Sequence, residues 1–301
     1  MVEAAGRANL AFAFGNDRFL GKNGHGVGHD TLGPMPHPYF DRPMPLVIGH
    51  RGAAGVAPEN TLVGFETGLS QGAHIIESDI HVTHDGVPVL IHDPDLDRTT
   101  NGRGPVEGMG WAELRTLDAG CRFTGSPEPG ADYGGREIGV PRLRDAFEAF
   151  PSTPFNLEIK ASARDLVASV VALVREFERE DRTLLVAGED RIQALLRQEL
   201  KDTGVRPALG ASIADIVDIA VSAREGRPHS SDSMAIQVPL DFGGSRLVTP
   251  TLIEHCRTHG VAVHVWTINE PDTMRELLDQ GVGGIVTDLP GVLAEVIAKR
   301  G

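Results

Sequence analysis

The stretch Glu77-Ser78-Asp79-Ile80-His81-Val82-Thr83-His84-Asp85-Gly86-Val87-Pro88-Val89-Leu90-Ile91-His92-Asp93 decides how this chain is read. Two apolar-rich runs flank Asp85-Gly86, the strongest short signal of a β-hairpin. A hairpin reverses direction, whereas neighbouring parallel strands need a long crossover. Val87–His92 is therefore expected to be a return strand, not a step in a parallel sheet.

Eight further apolar runs remain: Leu46–His50, His74–Asp79, Phe155–Lys160, Leu184–Gly188, Pro207–Ser212, Ala235–Pro239, Val261–Thr267 and Gly284–Asp288. Amphipathic stretches follow most of them, at about 60–71, 142–150, 163–180, 190–203, 213–225, 249–259, 271–280 and 290–299. Several open after Asn, Ser or Thr, or carry Pro in the first turn, as helix N-termini do. Eight strands alternating with helices predict an α/β fold, a TIM-type (β/α)8 barrel. Residues 94 to about 140 are rich in Gly and Pro, with one short helix near Trp111–Leu117, and read as an insertion after the early hairpin. Residues 44–301 form the barrel, and 1–43 form an irregular N-terminal arm without periodicity. His25, His29 and His37 lie in that arm and read as solvated loop histidines rather than a metal tract.

The composition narrows the function. A barrel of this kind needs about 250 residues, and the 301 present, 41% hydrophobic, supply its core. A net charge of -14 opposes binding to nucleic acid and to anionic membranes. No run of about 20 apolar residues is present, so no stable membrane insertion is expected. Cys121 and Cys256 are far apart and make neither a disulfide framework nor a zinc spacing. The apolar stretch Leu10–Phe14 lacks the basic flank of a signal peptide, so the cytoplasm is the expected compartment. The sequence does not set the oligomeric state.

Chemistry concentrates at strand ends, where such barrels build active sites. With Asp85-Gly86 as a two-residue loop, Asp79 stands opposite His92, and Glu77 shares that face. Two adjacent carboxylates repel unless a cation joins them, and a hard divalent ion suits oxygen donors. Glu158 and Lys160 share one face of the next strand, adding a third carboxylate and a positive charge for an anionic substrate. His50 and Arg51 end the first strand, and an arginine fork donates to two phosphate oxygens. Asn60 and Thr61 open a helix whose free amides favour an anion nearby, and they read also as simple caps. Trp266 is read either as core or as a pocket wall, and Asp288 either as a helix cap or as a pocket residue.

Together these motifs resemble the glycerophosphodiester phosphodiesterase family. The resemblance rests on His50-Arg51-Gly52, Pro58-Glu59-Asn60-Thr61, Glu77-x-Asp79, the run Thr83 to Asp93, Arg98-Thr99-Thr100-Asn101-Gly102, Glu158-Ile159-Lys160, Trp266-Thr267-Ile268-Asn269 and Thr287-Asp288. It implies that Glu77, Asp79 and Glu158 hold one divalent metal ion, Mg2+ or Ca2+, with Mn2+ also admitted. It implies that His50 and His92 are the general acid and base, that Arg51 and Lys160 contact phosphate, and that Glu59 and Trp266 line the pocket. Its substrate is a small-molecule glycerophosphodiester, split to sn-glycerol 3-phosphate and an alcohol. Two other functions compete: a lysophospholipase D-type activity, and a non-catalytic barrel that only binds phosphodiesters. The sequence departs from the family at His74 and at Gly64 and Gly68 of the first helix, none of which is expected to touch the chemistry.

Overall fold

The first strands are sealed on both faces. All four residues of β1 (Leu46–Gly49) are buried, as are seven of the eight in β2 (Ile75–Val82). This is the signature of a parallel sheet covered by helices. The computed structural model describes residues 37–125, 133, 135–162 and 164–300. The other parallel strands are β4 (Phe155–Ile159), β5 (Thr183–Val186), β6 (Ala208–Leu209), β7 (Ala235–Pro239), β10 (Ala262–Trp266) and β11 (Gly284–Thr287). They run in the order β6-β5-β4-β2-β1-β11-β10-β7, and a parallel bridge from Gly210 to Ala235 joins the two ends. The expected eight-stranded barrel is thus present.

Helices return the chain between strands: α1 (Leu62–Ser70), α3 (Leu143–Ala149), α4 (Arg164–Glu176), α5 (Asp190–Thr203), α6 (Ile213–Glu225), α7 (Pro250–Thr258), α8 (Pro271–Asp279) and α9 (Pro290–Ala298), with the short α2 (Trp111–Leu114) inside the insertion. Their ends follow capping rules. Thr61 accepts the Gly64 amide, and Ser212 and Asp215 cap each other at the start of α6. In α4, Leu166, Val167, Val170, Val171 and Val174 bury one face against the barrel wall. No helix among the described residues is long and apolar enough to cross a membrane.

The hairpin forms, but with a different register. β3 (Pro88–Leu90) pairs antiparallel with β2 as Ile80–Leu90, His81–Val89 and Val82–Pro88. The Thr83 amide donates to the Val87 carbonyl, so the loop is the three residues His84, Asp85 and Gly86. Gly86 takes the left-handed φ of 81° that ends this turn type. Asp85 fixes the longer loop by accepting from Thr83 Oγ1 at 2.6 Å and from the Trp111 amide at 3.0 Å. Asp79 consequently stands opposite Ile91, not His92.

Residues 37–43, the end of the expected irregular arm, pack onto the barrel. Pro38–Phe40 form a 3-10 turn capped by His37, whose Nδ1 accepts the Tyr39 amide. Tyr39 and Phe40 are buried against Leu46, Ile48, Ile75, Leu184, Ala208, Ala235 and Ala262. These aromatics close the barrel at the N-terminal ends of its strands. Residues 1–36, with His25 and His29, lie outside the described residues. The insertion builds its own small core, in which Leu96, Val106, Leu114, Ala119 and Val140 pack on Val89 and Ile91. A second small hairpin, β8 (Asp241–Phe242) with β9 (Ser245–Arg246), turns at Gly243-Gly244 just past β7. Its strands are too short and polar for sequence periodicity to show.

Candidate active site

Alternation along β2 sends Glu77 and Asp79 to the same side. The register with β4 sets Asp79 level with Glu158. Lys160 Nζ lies 2.7 Å from Glu158 Oε2 and 3.2 Å from Asp79 Oδ1, so it bridges the two. Arg51 approaches from the β1–α1 loop. Its amide donates to Glu77 Oε2 at 3.0 Å, its Nη1 to Glu59 Oε1 at 2.7 Å, and its Nε lies 3.4 Å from Asp79 Oδ2. Asn60 Nδ2 donates to Asp79 Oδ2 at 3.2 Å, while its Oδ1 accepts Ser78 Oγ at 2.6 Å.

The charges tune one another. Burial opposes ionisation of Asp79, yet Lys160 and Arg51 outweigh it and hold Asp79 below the usual carboxylate range. At Glu77 burial and the neighbouring Asp79 outweigh His50 and Arg51, and push its pKa well above that range. Burial also opposes the Lys160 charge, but Glu158 and Asp79 raise its pKa above the ordinary value.

Each histidine rests on an aspartate. His50 Nδ1 lies 2.6 Å from Asp288 Oδ1, and Asp288 Oδ2 accepts Asn269 Nδ2 at 2.7 Å. Burial disfavours the His50 imidazolium, but the Asp288 hydrogen bond and the Glu77 charge prevail and raise its pKa. His92 Nδ1 lies 2.7 Å from Asp93 Oδ1. Arg98 Nε reaches Asp93 Oδ2 at 2.5 Å, and its two terminal nitrogens clasp Glu59 at 2.6 and 2.8 Å. Burial opposes the Asp93 charge, but Arg98 and His92 hold its pKa down at about 2. With Nδ1 of each ring held by a carboxylate, Nε2 is the nitrogen left for proton exchange.

The loop carrying Arg51 is held in an uncommon conformation. Arg51 and Asn60 both have left-handed φ values, 49° and 55°, and the Asn60 amide donates to the Arg51 carbonyl at 3.0 Å. Such angles in non-glycine residues cluster at functional sites. Gly68 of α1 lies so close beneath that a Cβ there would be 2.5 Å from the Gly52 carbonyl oxygen. The glycines expected to lie apart from the chemistry therefore seat the loop that bears Arg51.

His50, Arg51, Glu59, Glu77, Asp79, His92, Glu158 and Lys160 thus come together at the C-terminal ends of the first barrel strands. Glu59 links the two halves, because it holds both Arg51 and Arg98. Trp266 stands at the end of β10, 43% exposed, the one large hydrophobic side chain so exposed among the described residues. Asp288 proves to be the partner of His50. Sequence reasoning assigned no part to Asp93, Arg98 or Asn269, and read Asn60 as a helix cap or as part of an anion-favouring helix N-terminus, not as a partner of Asp79. Asp93 follows His92 directly and was the most findable of these.

The donor set suits a hard divalent cation, being all oxygen and bearing excess negative charge that the raised Glu77 expresses. Lys160 stands between Asp79 and Glu158 in this arrangement, so the three carboxylates are not gathered as tightly as a closed ligand shell.

A model of the glycerophosphoryl diester phosphodiesterase family matches residues 50–292. The chain belongs to that family of phosphodiester hydrolases. A glycerophosphodiester phosphodiesterase of Caldanaerobacter subterraneus is 29% identical over 261 residues, covering 85% of this chain and 99% of its own. A mouse lysophospholipase D is 27% identical, covering 83% of this chain and 85% of its own. A solved phosphodiesterase of Oleispira antarctica, in complex with the product sn-glycerol-3-phosphate, superposes with a TM-score of 0.69 at 26% identity, covering 84% of this chain and 97% of that one. The family's match begins at His50 and runs past Asp288, so it spans both histidine–aspartate pairs.

Proposed function

We propose that the chain hydrolyses glycerophosphodiesters to sn-glycerol 3-phosphate and an alcohol by two-histidine acid–base catalysis. One observation carries this reading: two imidazoles, each oriented through Nδ1 by an aspartate, flank a cluster of three carboxylates and two cations. Arg51 and Lys160 neutralise phosphate oxygens as charge builds on them. One histidine takes the proton of the glycerol 2-hydroxyl, whose oxygen attacks phosphorus. The other gives a proton to the departing alcohol as its bond to phosphorus breaks. The histidines then exchange roles as water opens the cyclic phosphate, so one water is consumed per turnover. Glu77, Asp79 and Glu158 would hold a divalent cation, Mg2+, Ca2+ or Mn2+, which when bound supplies further charge neutralisation at phosphate.

The mouse relative's name makes lysophospholipids the competing substrate class. An acyl chain needs an apolar entrance, and among the described residues Trp266 is the one large hydrophobic side chain exposed to offer it. A phosphodiester-binding barrel without turnover is the weaker alternative, because every group that the chemistry needs is present. Comparing kcat/KM for glycerophosphocholine and lysophosphatidylcholine separates the three. A higher value for the water-soluble diester supports the proposal, a higher value for the lysolipid replaces its substrate, and binding without product from either removes the activity.

A further inference from the structure

Three imidazoles meet far from the barrel mouth. His229 lies in the segment leading from α6 into β7, and His255 and His259 lie on and just past α7. The segment enters β7 at the strand's N-terminal end, so the cluster is on the side of the barrel opposite the active site. His255 and His259 are four residues apart and share one helical face, with ring centroids 4.2 Å apart. His229 Nδ1 lies 3.1 Å from His255 Nε2. One ligand nitrogen from each ring falls within 4.8 Å of the others, the one such set of three His, Cys, Asp or Glu donors among the described residues.

The geometry matches metal coordination in three respects. Nitrogens bound to one tetrahedral zinc ion at its usual bond length are about 3.3 Å apart, close to the His229–His255 separation. His259 Nδ1 contacts the His255 carbonyl oxygen at 2.8 Å, which orients the ring and leaves Nε2 for a ligand, as backbone carbonyls do for metal-bound histidines. The cluster also borders a cleft of about 680 Å³ lined by Arg227, Thr251, Glu254 and Thr258, which leaves room for an exchangeable fourth ligand. Arg227 is the cation that opposes a metal here, and its charge is engaged by Glu225 at 2.5 Å and Asp218 at 3.7 Å. The Asp218 carboxylate also accepts the Ser230 and Ser231 amides, pinning the loop that carries His229.

We propose that His229, His255 and His259 form a second metal site, for a divalent transition metal of the zinc class. Imidazole donors select zinc, copper or nickel, whereas the all-oxygen site at the barrel mouth selects Mg2+, Ca2+ or Mn2+. The two sites would therefore load independently.

The test uses the full chain stripped with EDTA, titrated with Zn2+ against a chromophoric chelator, and separately with Co2+ followed by visible absorption. Glu77→Gln, His229→Gln and His259→Gln are compared with the parent, and a melting curve confirms that each is folded. The expected result is one zinc equivalent retained in Glu77→Gln and lost in both histidine variants, with zinc affinity falling by more than about tenfold, the least that loss of a mere supporting residue costs. Zn2+ should also raise the melting temperature of Glu77→Gln and not that of His229→Gln in a Glu77→Gln background. Unchanged zinc affinity in His229→Gln and His259→Gln, or no Co2+ absorption band that depends on them, would overturn the proposal.

Discussion

Asp288 Oδ1 lies 2.6 Å from His50 Nδ1, tying the end of the last barrel strand to the end of the first across 238 residues of chain. The parallel pairing of β1 with β11 brings the two residues level. Asn269 then holds the far oxygen of Asp288. A neutral amide in place of Asp288 could neither favour the imidazolium nor fix the same ring tautomer. Asp288→Asn should therefore lower kcat by about a hundredfold or more, the usual scale of acid–base catalysis. The pH limb that reports His50 should move to lower pH, since the bond that raises its pKa is gone. An unshifted profile with full kcat would remove Asp288 from the mechanism.

The two histidines should fail separately. His50→Ala and His92→Ala each remove one proton-transfer group and are expected to cost at least about a hundredfold in kcat. Single-turnover kinetics with a good alcohol leaving group give a further distinction. The variant lacking the acid should be partly rescued, because such an alcohol departs without a proton. Equal loss for every leaving group in both variants would argue against divided acid and base roles.

Glu59 is a positioning residue whose effect should spread over both halves of the site. It receives Arg51 at 2.7 Å and Arg98 at 2.6 and 2.8 Å. Glu59→Gln weakens the hold on Arg51 and on Arg98, the partner of Asp93, so both KM and kcat should worsen. Arg98→Lys, which keeps charge but loses the planar fork, should affect kcat through His92 more than KM. The KM-against-kcat split of the two variants checks this.

Gly68 tests the packing beneath the Arg51 loop. A methyl group there would be 2.5 Å from the Gly52 oxygen, so helix and loop must separate. Gly68→Ala should lower stability by about 1–3 kcal/mol, the range for forced overpacking. It should also reduce kcat, because Arg51 moves with the loop. Chemical denaturation and kinetics on the same preparation read both effects.

Much of this was legible in the sequence, for identifiable reasons. The barrel strands are continuous buried runs, and the helices between them carry capping residues such as Thr61, Ser212 and Thr249. The shared faces of Glu77 with Asp79 and of Glu158 with Lys160 followed from alternation along their strands. The hairpin register did not, because whether Asp85-Gly86 turns in two residues or three depends on the Asp85 bonds to Thr83 and Trp111. The supports of the histidines were equally hidden. Asn269 reaches Asp288 only through the packing of adjacent strand ends, and Arg98 reaches Glu59 across 39 residues. Tyr39 and Phe40 were masked by the Pro-rich, aperiodic stretch around them.

His264 should give the fold an acid sensitivity within reach of simple measurement. It is wholly buried in the barrel, and burial holds its pKa down at about 4 against an ordinary 6.5. As pH falls, the unfolded chain takes up this proton before the folded one. The contribution to stability is therefore intact above about pH 6.5 and is lost as pH falls toward about 4. His264→Gln, which does not titrate, should show a shallower fall in melting temperature across that window. Identical slopes for parent and variant would show that His264 does not couple to folding.

Release of glycerol 3-phosphate from glycerophosphocholine, followed by a coupled assay on EDTA-stripped protein, joins substrate, site and metal in one measurement. Mg2+, Ca2+ or Mn2+ should restore release, and Glu77→Gln should not recover with any of them. Full release by the stripped protein, or recovery in Glu77→Gln equal to the parent's, would contradict a metal-assisted reaction at the Glu77, Asp79 and Glu158 carboxylates.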